Sequence, residues 1–121
     1  MFPPVFEIVA DSSAVTSLLG TAPVRFYPFG QAPQQPVLPY AVWQTVTGEP
    51  ENYLNDTPDV DRFGIQIDVY ASTGAVARQL AAALRDAVEP QAYVTSWRGE
   101  GRDAETLHYS YSFDVSFHVI R

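Results

Sequence analysis

His108, His118, Asp68 and Asp114 are the side chains whose types could support acid–base work or hold a metal, and their spacing limits what they can do. The two histidines fall on the same face of one alternating stretch, ten positions apart. In a regular strand that separates their rings by about 34 Å, too far to ligate one ion. Asp68 and Asp114 fall on the polar faces of two strands expected to be neighbours. A close carboxylate pair there could share a proton or hold a hard cation. The alternative is two solvated or subunit-contacting acids, and no third ligand or histidine partner is visible beside them. Gly99-Glu100-Gly101 lacks the third glycine and the following helix of a phosphate-binding loop, so it reads as a turn. The sequence also has no nucleophile elbow and no pair of metal histidines one helical turn apart. Trp43 and Trp97 could line a small-molecule pocket, although strand aromatics more often serve core or interface. No catalytic residue, metal site or cofactor is expected.

A second kind of chemistry is recognition by surface. Residues 48–61 hold Glu49, Glu51, Asp56, Asp59 and Asp61 around Tyr53 and Leu54. They read as a long loop, either an acidic arm tipped by two docking residues or a solvated excursion folded back on its own sheet. Tyr27 and Phe29 precede a proline-rich segment and could anchor an interface or pack inward. That segment, 30–39, carries Pro33, Pro36 and Pro39 among glutamines that include Gln34 and Gln35, which favours a rigid, extended connector.

These groups are positioned by a strand that feeds directly into a helix. Over 62–70, Phe63, Ile65, Ile67 and Val69 alternate with Arg62, Gly64, Gln66, Asp68 and Tyr70, the period of a strand with one apolar face. Ser72 or Thr73 can then cap a helix over about 73–89. Its Val76, Ala77, Leu80, Ala81, Ala83, Leu84, Ala87 and Val88 recur at helical spacing until Pro90 stops it. Laying that helix on the strand buries both apolar surfaces. A short N-terminal helix is expected around Val5 to Val9 with Pro3 and Pro4 in its first turn. A second is expected with Asp11, Ser12 or Ser13 as cap, Val15, Leu18 and Leu19 inward, and Gly20 as stop. Strands are expected at 24–29, at 39–47 with both faces covered, at 92–98, and at 107–120. The last two form a hairpin around a turn at 99–105. Strand 107–120 alternates aromatic and aliphatic residues with His108, Ser110, Ser112, Asp114, Ser116 and His118. It would run about 45 Å if continuous and should pair antiparallel beside 62–70. The expected fold is α+β: an antiparallel sheet of about four to five strands, one main helix packed on it, and short N-terminal helices.

Composition narrows the class. The 121 residues suit one domain, 1–121. Fourteen acids face seven arginines and no lysine, for a net charge of −7. Such a chain should repel a phosphate backbone, which argues against a DNA or RNA reader. No apolar run reaches the roughly 20 residues of a bilayer span, the N-terminus has no basic leader, and no membrane partner is expected. Without cysteine there is no disulfide framework and no thiolate metal site.

The segments also fall in a familiar order. Leu18-Leu19-Gly20 is followed by Val24-Arg25-Phe26-Tyr27-Pro28, Ala32-Pro33-Gln34 and Leu38-Pro39-Tyr40-Ala41-Val42. Then come Glu49-Pro50-Glu51-Asn52, Gln66-Ile67-Asp68-Val69-Tyr70, the helix and the aromatic C-terminal strand. In this order the chain resembles the tail-completion proteins of long-tailed bacteriophages over nearly its whole length. The resemblance implies a structural virion protein of the tail and neck, assembled in the host cytoplasm and without catalytic residues to carry over. It implies a ring, usually hexameric, that caps the tail tube and joins it to the head connector while DNA passes through. A ring of acidic subunits suits that role, because a negative wall lets DNA pass without adhering. Glu49, Glu51, Tyr53, Leu54, Asp56, Asp59 and Asp61 then become candidates for tail-tube contact or channel lining. Tyr27, Phe29, Gln34, Gln35, Ser112, Asp114, Ser116 and His118 become candidates for subunit or connector contacts. The alternatives are a neck adaptor nearer the head or, from a different class, a small-ligand-binding or enzymatic domain using Asp68, Asp114 and the tryptophans.

Overall fold

In the computed structural model, residues 2–50 and 60–120 are described. They form three helices and a five-stranded sheet: α1 (Val5–Ala10), α2 (Ser13–Leu19), β1 (Phe26–Pro28), β2 (Tyr40–Pro50), β3 (Val60–Ala71), α3 (Gly74–Val88), β4 (Ala92–Arg102) and β5 (Tyr109–Ile120). The sheet order is β1-β2-β3-β5-β4. The α+β expectation therefore holds, with β5 antiparallel beside β3 as the alternation required. The departure is β1, which pairs parallel to β2 and makes the sheet mixed. After Pro28 the connector leads the chain back to the level of Phe26, so β2 starts in the direction β1 took.

Each helix starts and stops for a local reason. Ser12 Oγ accepts from the Val15 N–H (3.3 Å) at the head of α2, and Gly20, at φ +79°, ends it. Thr73 Oγ1 accepts from the Val76 N–H (3.2 Å) at the head of α3. Ala77, Leu80, Ala81, Leu84 and Val88 of α3 are buried. They meet Ile65, Ile67 and Val69 of β3 and Phe113, Val115 and Phe117 of β5, with Val5, Val9, Val15 and Leu19 closing the core from the N-terminal helices. Burying each large aliphatic side chain contributes about 1.5–3 kcal/mol relative to leaving it exposed.

Two expected loops are shorter than the sequence suggested. Gly48, Glu49 and Pro50 belong to β2, and Val60 and Asp61 to β3. The ladder continues because β3 is zipped on its other side to β5 as far as Val60↔Ile120, giving β2 a template. A bulge between Thr45 and Thr47 takes up the extra residue, so that Gly48 still faces Phe63 and Glu49 faces Arg62. Likewise β4 does not end at Arg98 but runs to Arg102, and the turn falls after it. Bulges between Val94 and Ser96 and between Trp97 and Gly99 break the alternation that would have revealed the strand, and Gly99 adopts φ +97° there. At the start of β5, Leu107 sits in the turn at φ +61° rather than in the strand.

The helices pack on one face of the sheet. The outer face of β2 is consequently less covered than expected: Val42 and Gln44 are half-buried and Val46 is 45% exposed. Among the described residues no helix is long and apolar enough to cross a membrane.

At Gly64 on this outer face, an added Cβ would collide with Thr47 Oγ1. Gly64→Ala should lower stability by about 1–3 kcal/mol, measured by urea unfolding. The same substitution in a Thr47→Ala background should cost distinctly less.

Candidate functional site

The outer face of β3, β5 and β4 is where the sequence-nominated polar residues meet, because alternation sends every second side chain away from the helices. Asp68 is level with Ser112, and Gln66 is level with Asp114. Ser112 Oγ donates to Asp68 Oδ1 (2.6 Å), and Gln66 Nε2 donates to both Asp68 oxygens (3.0 and 3.3 Å). Arg98 Nε donates to Asp114 Oδ2 (2.8 Å). The carboxylates thus sit on diagonal positions, each engaged by its own donors, and are not a shared pair. Among the described residues no group of three or more potential ligands is placed to hold a metal ion. The Asp114 side chain is only 16% exposed, and its Oδ1 has no hydrogen-bond partner among the described residues. Ser116 continues the same face opposite Gly64 and Tyr93, and His118 meets the Tyr93 ring edge-on at 6.1 Å.

His108 lies in the turn before β5 and His118 near the strand's far end, so the structure keeps them apart as the spacing required. Trp43 and Trp97 lie in one row on the inner face, with Ile67 and Phe113 between them. Three strand spacings, about 14 Å, separate the two. Trp43 stacks on Phe26 at 6.3 Å, and Trp97 packs on Phe113 at 4.9 Å and Tyr111 at 5.5 Å. They do not enclose one pocket.

Toward the other end of the outer face, Tyr27, Tyr40 and Tyr70 form a ladder of rings, with centroids 6.4 and 4.9 Å apart. Burial raises the Tyr40 and Tyr70 pKa values above the usual phenol range, and the charge of Asp68 adds to the rise at Tyr70. Both rings therefore stay neutral with a hydroxyl able to donate. The ladder was not foreseen as a unit, because its three tyrosines come from three strands; their equal distance from the buried positions Phe26, Ala41 and Val69 was the available signal. Phe29 is 71% exposed, with its N–H donating to the Trp43 carbonyl (2.8 Å). Gln34 and Gln35 are also exposed.

Of the acidic arm, Glu49 pairs with Arg62 across the β2–β3 ladder, and Asp61 stands between Pro50 and Val119. Glu51, Tyr53, Leu54, Asp56 and Asp59 lie outside the described residues. Beyond Gln44 and beyond Val94 the strands β2 and β4 are exposed, so both hairpins reach past the helical layer, at opposite ends of the sheet. In the β4–β5 turn, Asp103 Oδ1 accepts from the Glu105 and Thr106 N–H groups (2.8 and 3.1 Å). Those bonds favour its charged form and hold its pKa below the ordinary carboxylate value. Glu100, hydrogen-bonded to Arg78, is lowered in the same way.

The polar groups of this face are engaged with one another across the sheet, the arrangement of a structural domain with surfaces to join. A solved structure shares the fold. A chain of the virion of a native gene transfer agent particle matches with a TM-score of 0.69 at 15% identity, over 97% of this chain and 92% of that one. The model of the tail completion protein gp17 family matches residues 3–120, and the chain belongs to that family. As a member of that family it is a structural tail protein. No curated protein matches it.

Because the pKa values of Asp103 and Glu100 are lowered on folding, their contribution is present above the ordinary carboxylate pKa and is lost as pH falls through the folded values. Amide exchange at Glu105 and Thr106 should therefore quicken on acidification, relative to the pH trend of other turn amides. In Asp103→Asn this extra acid dependence should disappear.

Proposed function

We propose that the chain forms a ring, hexameric in the completed particle, that caps the tail tube and joins the tail to the head connector while DNA passes through. The family match over nearly the whole chain carries the reading. Charge supports it. At net −7, copies arranged around a channel would repel phosphate, and the wall would offer DNA no adhesive surface. The open face and the two protruding hairpins supply separate surfaces for like copies and for unlike partners, as a ring between two other rings requires. Glu49 is engaged by Arg62, and the arm's other acids, Glu51, Asp56, Asp59 and Asp61, flank Tyr53 and Leu54 in the sequence. We assign that arm to the tail tube or the channel. The outer face of β5, from Ser112 through Asp114 and Ser116 to His118, is assigned with Tyr27, Phe29, Gln34 and Gln35 to subunit and connector contacts. The reading is of a protein that works by assembly and catalyses nothing.

Light scattering on a size-exclusion column tests it, with the protein alone and then mixed with its tail-tube protein. A ring mass in either case is the expected result. A monomer indifferent to the tube would move the protein one layer toward the head, as a neck adaptor. Separately, neutralising Glu51, Asp56, Asp59 and Asp61 while truncating Tyr53 and Leu54 to Ala should abolish tail joining and leave the circular dichroism unchanged. Intact joining by that variant would remove the arm from the contact.

A further inference from the structure

Residues 26–48 form the longest run without a charged side chain in this acidic sequence. Copies of net charge −7 repel over most of their surfaces, so an uncharged patch is where they can meet without that cost. Within the run lies the connector 30–39. Its Pro33, Pro36 and Pro39 recur at every third residue, and the chain bends at Ala32, Gln34, Gln35, Leu38 and Pro39 as it returns from β1 to β2. Pro33, Gln34, Gln35 and Val37 are exposed. The end of the connector is fixed from beneath: Arg25 donates from Nε to the Pro39 carbonyl and from Nη2 to the Leu18 carbonyl, both at 2.9 Å. A segment held in this way loses little conformational freedom when it docks.

A groove of about 400 Å³ opens on the outer face of the same chain. Tyr40 and Tyr70 wall one side and the β4–β5 turn the other, with Thr106 and His108. Gly101 and Ser110, paired across β4 and β5, form a floor of minimal side chains. The charges at its rim are engaged within the turn: Asp103 accepts backbone amides, and the Arg102 guanidinium lies over the Tyr109 ring at 5.0 Å. Stacked aromatic rings beside a narrow, nearly neutral trough suit proline rings and glutamine amides. The lining comes from β2, β3, β4, β5 and the turn, and none of the exposed connector residues is part of it, although Tyr40 directly follows Pro39.

We propose that this groove receives the proline–glutamine connector of a second copy. The inference rests on the self-assembly reading above and names the two surfaces that would carry it. One is the β1–β2 connector and the other is lined from β2 to β5, and a head-to-tail contact between two such different surfaces forms a ring where its rotation closes. The connector brings no charge to the contact, and the groove sets one arginine, Arg102, beside one acid, Asp103, so two acidic copies can meet there without like charges facing each other.

The absence of cysteine makes the test clean. Gln35→Cys and Ser110→Cys proteins, prepared separately and mixed, are treated with a short bis-maleimide, and light scattering is run on the same samples. The expected product is a Q35C–S110C dimer, and a ladder up to the ring mass from the double variant. Gln34→Glu with Gln35→Glu should weaken self-association at least tenfold. Multimers without the cross-link would overturn the groove contact and leave the ring standing. Monomers at every concentration, with and without the tail tube, would overturn both. A monomer linked to itself in the double variant would return the groove to its own connector and sink the proposal.

Discussion

The structure depends on β3 being held from both edges and from one face. Ile65, Ile67 and Val69 are fully buried, and their cross-strand neighbours on β5 are Val115, Phe113 and Tyr111. Leu80 and Leu84 of α3 pack on those rows. Once this contact forms, the register of both neighbours follows, because a slip of one residue would turn Ile65 and Ile67 outward and Gln66 and Asp68 inward. The short N-terminal helices and β1 add area to a layer pair already defined.

One-sided packing has a structural consequence. A helix layer on one face leaves the other face to be completed by side chains alone, and this chain fills it with serines, glutamines, acids and a tyrosine ladder. Asp68 accepts from Ser112 and Gln66, and Asp114 is held by Arg98. These groups are held by neighbours within the sheet, with Asp114 Oδ1 left without a partner among the described residues, which keeps the face polar and ordered. The edge strand β4 is managed too, since two bulges interrupt the regular ladder that an open edge would otherwise offer to any passing strand. Together these features favour side-chain recognition over indiscriminate strand addition.

Much of this was legible in the sequence wherever burial imposes a period. The alternation from Phe63 to Val69 and from Tyr109 to Val119, and the helical spacing from Ala77 to Val88, fixed β3, β5, α3 and their mutual packing, because each side chain there either faces the core or does not. Legibility failed where the backbone carries the structure without help from a core. Gly48, Glu49 and Pro50 look like loop residues, and only the ladder to a templated β3 makes them a strand. Thr95 and Arg98, inserted by bulges, hid the second half of β4. The candidate surfaces were legible as residue types but not as groupings: Tyr27, Tyr40 and Tyr70 lie far apart in the chain, and only the parallel placement of β1 brings Tyr27 into line with the other two.

The arginines tie fold to function. Arg25 is spent on backbone carbonyls, Arg62 on Glu49, Arg78 on Glu100, Arg85 on Asp86 and Glu89, and Arg98 on Asp114, while Arg102 lies over Tyr109. The exposed pairs among these add little to stability, because solvent screens them and pairing costs side-chain freedom, so stability is a poor explanation for pairing most of the described arginines. Their effect on the surface field is larger. A phosphate approaching Arg25, Arg62, Arg78, Arg85 or Arg98 must compete with a carboxylate or a carbonyl already in place, and the net charge of the chain is negative. Pairing of this kind weakens the pull of each guanidinium on phosphate, because the phosphate has to displace a bound carboxylate before the cation can replace counterions.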